Sequence, residues 1–191
     1  MQIESHPFEP FLPASAKVLM LGSFPPQEKR WSMKFYYPNF TNDMWRIVGL
    51  IFFNDKDLFV DYEARKFKLE DIVDFCSTKG IAMYDTACEV RRLKDNASDK
   101  FLEVVTPTDV LALLGKIPEC TAIVTTGEKA TETLCASLGI VPPAVGQYSS
   151  FEFEGRGFRL YRMPSSSRAY PLPIEKKAAM YRRLFEEAGM V

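Results

Sequence analysis

The sequence contains very little histidine. His6 is the only one among 191 residues, and it lies near the N-terminus in a stretch that we expect to form an exposed arm. Histidine is the side chain that most readily exchanges a proton near neutral pH, and it is a common ligand of catalytic metals. Its scarcity therefore argues against mechanisms that need a histidine base and against metal sites built from several histidines.

Paired cysteines are also missing. The four cysteines form no Cys-x-x-Cys pair, and each lies in an apolar or helix-like context: Cys76, Cys88, Cys120 and Cys135. Such contexts favour buried free thiols over a disulfide framework. No two of them are close enough in sequence for the tight spacing typical of iron–sulfur sites. We expect neither a metal nor a cofactor.

Long apolar runs and phosphate-binding loops are absent as well. No stretch reaches the roughly eighteen apolar residues that a membrane-spanning helix needs. Residues 1–10 lack the basic and apolar regions of a signal peptide, so we expect a cytoplasmic protein. The chain has no Walker loop and no Gly-x-Gly-x-x-Gly loop, which argues against nucleotide-cofactor sites of those kinds.

The chain also lacks a large net charge. The chain has 24 basic and 25 acidic residues, and the net charge of −1 argues against a protein that coats nucleic acid. The charge is unevenly distributed, however, because residues 155–183 contain eight Lys or Arg and one acidic residue, Glu175. The sequence therefore leaves a local basic face open.

Apolar strand-like runs alternate with helix-like segments along the chain. The strand-like runs are 17–21, 81–84, 121–125 and 158–163, and the helix-like segments are 42–53, 69–78, 107–116, 128–138 and 174–188. This alternation is typical of a parallel sheet covered by helices on both faces, and residues 150–163 read as a hairpin that turns at 154–157. We predict one α/β domain over residues 1–191, with an arm at 1–16 and a three-layer α/β/α sandwich around a mostly parallel four-stranded sheet.

The unusual residues follow the predicted strands at their carboxyl ends, namely residues 22–26, Asp85, residues 126–128 and residues 164–167. In open α/β sheets this edge forms the ligand crevice. The loop after the first strand is rich in aromatic residues, which are Phe24, Trp31, Phe35, Tyr36 and Tyr37. We therefore expect this loop to hang over a binding site.

Most of these residues also have an ordinary structural explanation. Asn42 precedes an apolar periodic run and is well suited to cap a helix. Tyr36 and Tyr37 could belong to the core or its rim, but flat side chains beside amides also suit stacking on a planar heterocycle. Asp85 could be a site carboxylate, or it could form an ion pair with a nearby arginine such as Arg91.

The segment 163–168 combines three hydroxyls, backbone N–H groups and a cation just before the last helix. Its polar members are Ser165, Ser166, Ser167 and Arg168. Donors of this kind bind phosphate oxygens well. Serines in turns also commonly make only local hydrogen bonds.

Together these segments resemble the uracil-DNA glycosylase superfamily, most closely its hypoxanthine-type and mismatch-specific branches. Residues 22–26, Gly-Ser-Phe-Pro-Pro, resemble the first motif, and residues 36–45 resemble the segment that leads through an asparagine and an aromatic residue into a helix. Residues 80–85 resemble the second strand, 126–130 the turn after the third strand, and 164–167 the Pro-Ser-x-Ser segment of the last motif. The likeness runs in chain order over roughly residues 17–185.

The resemblance implies a monofunctional DNA glycosylase that cuts the N-glycosidic bond of a flipped deaminated base, uracil or hypoxanthine, in base-excision repair. It implies that Tyr37 stacks on the base, that Asn42 is catalytic, and that Asn39 takes part in place of the usual histidine. It further implies base contacts by Gly22, Ser23, Phe24, Tyr37 and Asp85, and contacts with the DNA backbone by Ser165, Ser166, Ser167 and Arg168. The partner is DNA with a damaged base, and we expect a monomer.

Some positions depart from the family pattern. Phe24 stands where several branches have a polar residue that aligns the attacking water, and Pro26 replaces a glycine. Met163 excludes the branch that uses a histidine in its last motif. Two other functions therefore remain open: a weakened relative that binds damaged or single-stranded nucleic acid, and a hydrolase of nucleosides or nucleotides.

Overall fold

Strands and helices alternate along the chain much as predicted. The computed structural model describes residues 2–95 and 98–191. The strands are β1 (Ile3–Ser5), β2 (Val18–Gly22), β3 (Val60–Asp61), β4 (Lys66–Phe67), β5 (Ile81–Asp85), β6 (Ala87–Arg92), β7 (Leu102–Pro107), β8 (Ala122–Thr126), β9 (Tyr148–Phe153) and β10 (Arg156–Met163). The helices are α1 (Met44–Phe53), α2 (Leu69–Lys79), α3 (Val110–Gly115), α4 (Glu128–Leu138) and α5 (Ile174–Glu187).

The central sheet has the strand order β5-β2-β8-β10-β9. The first four strands are parallel, and they are the four strands predicted from the sequence. Every residue of β2, β5 and β8 is buried, because helices cover both faces of a parallel sheet. The predicted hairpin is formed by β9 and β10. Its first strand joins the sheet as a fifth, antiparallel edge strand, which the four-stranded prediction did not include.

The helices form the outer layers. Because crossovers between parallel strands are right-handed, the connection from β2 to β5 and the one from β5 to β8 lie on opposite faces. Helices α1 and α5 pack against each other. Helix α3 begins at Val110, later than predicted, because Pro107 ends strand β7; the Asp109 side chain accepts a hydrogen bond from Ala112 N–H at 3.0 Å and caps the helix.

A second, three-stranded sheet was not predicted. Its order is β1-β6-β7, and all of its pairs are antiparallel. The predicted N-terminal arm over residues 1–16, described from Gln2 onwards, is therefore paired to the rest of the protein, although residues such as Gln2, Ser5 and Pro7 are exposed. Strand β1 pairs with β6, and Phe11 exchanges two backbone hydrogen bonds with Met83 of β5. These bonds hold the arm against the edge of the central sheet.

The cysteines are free thiols, as predicted. Cys76, Cys120 and Cys135 are buried, and Cys88 is half-buried. Burial raises the pKa of the Cys120 thiol to about 12. In the described part of the chain, none of the helices has the length and apolar character that crossing a bilayer requires.

Candidate functional site

A cavity of about 660 Å³ opens at the carboxyl edge of the central sheet. All the site residues predicted from the sequence line it, although they come from four separate segments: Gly22, Ser23, Phe24, Tyr37, Asn39, Asn42, Asp85, Ser165, Ser166, Ser167 and Arg168. They meet because the carboxyl ends of parallel strands share one edge of the sheet. Their individual roles remain predictions.

Gly22 allows Asp85 to approach the floor of the cavity. The two residues are paired at the ends of β2 and β5. A Cβ atom at position 22 would overlap Asp85 Oδ1 and would lie 3.8 Å from Tyr37 Cε1. Glycine is therefore needed here for close approach. Asp85 Oδ1 and the Tyr37 ring consequently adjoin one small region of the wall.

Tyr37 presents a fixed aromatic ring to the cavity. Its φ of 52° lies in the left-handed region, which costs a residue other than glycine about 1 kcal/mol or more and tends to occur at functional sites. The hydroxyl lies 3.1 Å from Thr126 Oγ1 at the end of β8, and the ring meets Trp45 edge to face. Burial, with a smaller effect of Asp85, raises the pKa of Tyr37 well above its usual value, so the phenol keeps its proton.

Most of the aromatic loop packs inward rather than over the site. The side chains that are buried or half-buried are Phe24, Trp31, Phe35 and Tyr36. Of these, Phe24 and Tyr36 still line the cavity. Phe24 also packs on Ala87 and Val90 of the second sheet, so its position is set by apolar contacts.

The two predicted catalytic asparagines differ in which hydrogen-bond donors and acceptors of their side chains remain unpaired. Asn39 Oδ1 accepts from both the N–H and the hydroxyl of Thr41, at 3.0 and 2.9 Å. Asn42 Oδ1 accepts one hydrogen bond, from Met44 N–H at 2.9 Å. Asn42 was predicted to cap α1, but the N-cap is Asp43, so this bond closes a turn just before the helix. Within residues 2–95 and 98–191, no acceptor is bonded to Asn42 Nδ2. Asn42 therefore retains a lone pair and two amide hydrogens, whereas Asn39 retains only amide hydrogens.

The serine loop (residues 164–167) is held from below through its carbonyl oxygens. Tyr181 donates its hydroxyl to Pro164 O at 2.7 Å, and Asp43 N–H donates to Ser166 O at 2.9 Å. Lys177 Nζ donates to Ser167 O at 2.7 Å, and burial lowers the pKa of this lysine. The loop is thus fixed on the side away from the cavity.

Asp43 links the start of α1 to the residue that follows the serine loop. Its buried carboxylate accepts from Arg168 Nη2 at 2.7 Å and from Arg46 Nη1 at 3.4 Å. Arg46 is 5% exposed, donates to Phe40 O and lies 4.8 Å from the centre of the Phe40 ring. The Arg168 side chain is 54% exposed, and its hydrogen bond to Asp43 raises its pKa. Arg168 therefore remains a cation at the mouth of the cavity.

The basic segment 155–183 does not form a common basic face. Lys177 is buried, Arg182 donates to carbonyl oxygens of α1, and Arg159 pairs with Glu187. These cations stabilise the fold. Arg168 is the cation of this segment that lines the cavity, and other exposed cations on the wall come from elsewhere in the chain, including Arg30 and Lys100.

His6 was expected on an exposed arm, and that expectation is wrong. Its side chain is 3% exposed, and Nε2 lies 2.9 Å from Asp85 Oδ2. The ring is surrounded by aromatic side chains, with Tyr84 at 4.4 Å and Phe24 at 5.3 Å between ring centres. No local pattern around His6 signals this contact, because its partner lies 79 residues away.

Asp99 is a second carboxyl group on the cavity wall, and sequence reasoning missed it. Burial raises the pKa of Asp99; a hydrogen bond with Ser23 acts in the opposite direction, and nearby Asp85 raises it further. The cavity wall therefore carries two carboxyl groups, those of Asp85 and Asp99. Among the described residues, no group of three or more His, Cys, Asp or Glu is arranged to hold a metal ion.

Comparison with known proteins supports the fold. No protein-family model matches the chain, and no curated protein matches it at a significant level. Among solved structures, it is similar to a protein from Methanosarcina acetivorans, determined by solution NMR, which carries the provisional description of a uracil DNA glycosylase. The TM-score is 0.64 at 21% identity, over 98% of this chain and 99% of the other. At this identity the likeness shows a shared α/β fold.

Proposed function

We propose that the protein is a monofunctional DNA glycosylase that removes a deaminated base, uracil or hypoxanthine, and that it works as a monomer without a cofactor. The observation that carries the proposal is the cavity at the carboxyl edge. Four segments that resemble glycosylase motifs line it together, and its volume of about 660 Å³ lies within the usual range for small-ligand sites. The fold shared with the archaeal protein is consistent with the same activity.

An enzyme that acts on a base in DNA must first rotate the nucleotide out of the stack, which costs a few kcal/mol. The Tyr37 ring, fixed by Thr126 and Trp45, offers a stacking surface for the flipped base. Asp85 lies beside the Tyr37 ring, with Oδ1 towards Gly22. This carboxylate oxygen can accept a hydrogen bond from a ring N–H of the base. Uracil and hypoxanthine both carry such an N–H on the edge that pairs in a duplex.

The reaction exchanges one bond for another. The bond from the base nitrogen to C1′ of the sugar breaks, water forms a new C–O bond at C1′, and the proton released by the water restores the neutral base. Asn42 is the best-placed water-positioning residue, because its amide retains one lone pair and two hydrogens. Fixed dipoles around a cation-like sugar lower the barrier without histidine or metal chemistry.

The DNA strand has several possible contacts around the mouth of the cavity. The serine loop and Arg168 line it, together with Arg30 and Lys100. The hydroxyls of Ser165 and Ser167 also accept local hydrogen bonds, from the N–H groups of Ser167 and Ala169. Because Tyr181 and Lys177 fix the serine loop, phosphate binding need not first order it. The loop and Arg168 would hold the backbone and help to keep the duplex open.

The direct test uses oligonucleotides that carry one uracil or one hypoxanthine, followed by alkali to cut abasic sites. The wild-type protein should produce strand scission, and Asn42→Ser should lower the rate by about 100-fold, as for loss of a group that positions the reacting water. Serine is the appropriate replacement because its hydroxyl can accept the same turn hydrogen bond from Met44 N–H. Thermal melting should therefore be nearly unchanged.

The second candidate is a catalytically weakened relative that binds damaged or single-stranded nucleic acid. The position of Phe24 favours it. Phe24 is 8% exposed and apolar, and it stands where related enzymes carry a polar side chain that aligns water. Intact strands with a retained gel shift would favour the binder over the glycosylase. Absence of both signals would leave hydrolysis of nucleosides or nucleotides.

Arg168→Ala should weaken DNA binding about tenfold, whatever the sequence, and should lower the slope of log K against log salt by about one. The reason is that the guanidinium is exposed at the mouth of the cavity although Asp43 holds it. Fluorescence anisotropy over a range of salt concentrations measures both effects. Arg183→Ala is the matched control, because Arg183 is exposed on α5 and does not line the cavity. Equal slopes for the two variants would contradict a phosphate contact by Arg168.

A further inference from the structure

The His6 imidazole is buried, yet both of its nitrogens have hydrogen-bond partners. Nε2 lies 2.9 Å from Asp85 Oδ2, and Nδ1 lies 3.1 Å from Phe8 N and 2.9 Å from Phe8 O. In the neutral ring, Nδ1 accepts from Phe8 N–H, and in the cation it donates to Phe8 O. In either charge state the Nε2 hydrogen therefore points at Asp85. A polar ring among aromatic side chains needs such partners, because an unpaired one would be costly.

The arm that carries His6 is anchored on both sides of this contact. His6 N–H donates to Cys88 O at 2.8 Å, and Phe11 is bonded to Met83 of β5. Tyr36 of the aromatic loop donates its hydroxyl to Glu9 O at 2.7 Å. The arm thus joins the strand that ends at Asp85 to the loop that carries Tyr37.

The two oxygens of Asp85 have different surroundings. Oδ2 is taken by His6, outside the cavity wall. Oδ1 lies over Gly22, on the side of the Tyr37 ring. Asp85 lines the cavity and its side chain is 9% exposed, so Oδ1 is the oxygen left to meet a ligand. A hydrogen bond on one oxygen fixes the rotation of the whole carboxylate. The other oxygen is then held ready to accept from a ligand without losing rotamer entropy on binding.

We infer that His6 is a positioning residue of the site, which holds Asp85 with Oδ1 facing the cavity, so that the N-terminal segment takes part in ligand recognition through this one side chain. The inference rests on the proposed function for the identity of the ligand. The placement of the carboxylate itself does not depend on that function. A residue of this kind orients a ligand-binding side chain without touching the ligand itself. Its removal commonly lowers activity by about 10- to 100-fold.

A double-mutant cycle tests the inference on a uracil or hypoxanthine oligonucleotide. His6→Ala should lower kcat/KM by about 10- to 100-fold. His6→Gln should recover much of this loss, because its amide N–H can reach Asp85 Oδ2. In an Asp85→Asn background, His6→Ala should lower kcat/KM by less than about threefold, because the two residues act as a unit. Full additivity of the two substitutions would overturn the inference.

A further control separates loss of arm stability from loss of the His6–Asp85 contact. Phe11→Ala removes a partly buried ring that packs edge to face on Phe35, and it leaves the His6–Asp85 contact in place. Its melting temperature should fall at least as far as that of His6→Ala. Its kcat/KM should nevertheless stay much closer to the wild-type value. An equal loss of kcat/KM in Phe11→Ala would mean that His6 serves only the stability of the arm.

Nitrogen-15 NMR of the imidazole supplies a readout that does not need activity. With one histidine in the chain, the side-chain spectrum contains a single residue and needs no assignment. The signal should report a proton on Nε2, should change in Asp85→Asn, and should shift on addition of free uracil or free hypoxanthine to the wild type. If no oligonucleotide is cut, the proposed function fails while this spectrum still decides the inference. A mobile ring that is insensitive to Asp85→Asn would overturn it.

Discussion

Under the proposed glycosylase function, Gly22→Ala should lower base excision by about 1,000-fold while the protein stays folded. An added methyl group would overlap Asp85 Oδ1, which His6 prevents from rotating away. Displacement of a site group by about 1 Å can cost on the order of 100-fold, and loss of one buried hydrogen bond costs about a further tenfold. Single-turnover cleavage of a uracil or hypoxanthine oligonucleotide measures the effect.

A matched glycine separates this steric effect from the general effect of glycine substitution. A Cβ at Gly115, in the last turn of α3, would meet nothing within 4 Å. Gly115→Ala should therefore leave excision unchanged and should raise stability by up to about 1 kcal/mol through helix propensity. Wild-type activity in Gly22→Ala would show that the region beside Asp85 Oδ1 does not hold the base.

Asp43→Ala should lower the free energy of unfolding by about 3 kcal/mol, because removal of one partner leaves a buried charge uncompensated. The charge in question is that of Arg46, which is 5% exposed. Arg168 would also lose its hydrogen bond at 2.7 Å, so the link between α1 and the serine loop would weaken. Urea unfolding followed by circular dichroism measures the two free energies of unfolding. The curves of wild type and Asp43→Ala are fitted with one shared m-value.

The control for Asp43 is an aspartate without such partners. Asp74 is exposed on α2, so Asp74→Ala should change stability by no more than about 0.5 kcal/mol. Asp43→Asn should lie between wild type and Asp43→Ala, since an amide oxygen still accepts hydrogen bonds but carries no charge. A loss below about 1 kcal/mol in Asp43→Ala would mean that the carbonyl oxygen of Phe40 and its ring are enough to hold Arg46.

The central sheet could be predicted because its strands carry a strong local signal. Strands β2, β5 and β8 are short, continuous apolar runs that are buried on both faces, and turn residues follow each of them. The second sheet lacks this signal. Strand β6 pairs with β7 through register shifts beside Glu89, which breaks the alternation by which a half-buried strand is recognised. Strand β1 has only three residues.

The site could be predicted where residues follow the ends of the central strands. The positions of Gly22, Asp85 and Ser165 after predicted parallel strands predict that they lie together, since parallel strands present their carboxyl ends at one edge, and they line one cavity. The contact of His6 with Asp85 could not be found in this way, because it depends on the unpredicted sheet. Asp99 was missed for the same reason, since it precedes β7 and has no motif of its own.

The long sequence separation of the contacts at the cavity determines when it can form during folding. His6 and Asp85 are 79 residues apart, and Asp43 and Arg168 are 125 apart. Chain entropy opposes such distant pairings until much of the intervening structure exists, so they tend to form late. A ribosome-bound chain could have β2, β5 and α2 in place and still lack a finished cavity. The completed site thus belongs to the last stage of synthesis, when α5 has emerged to support the serine loop.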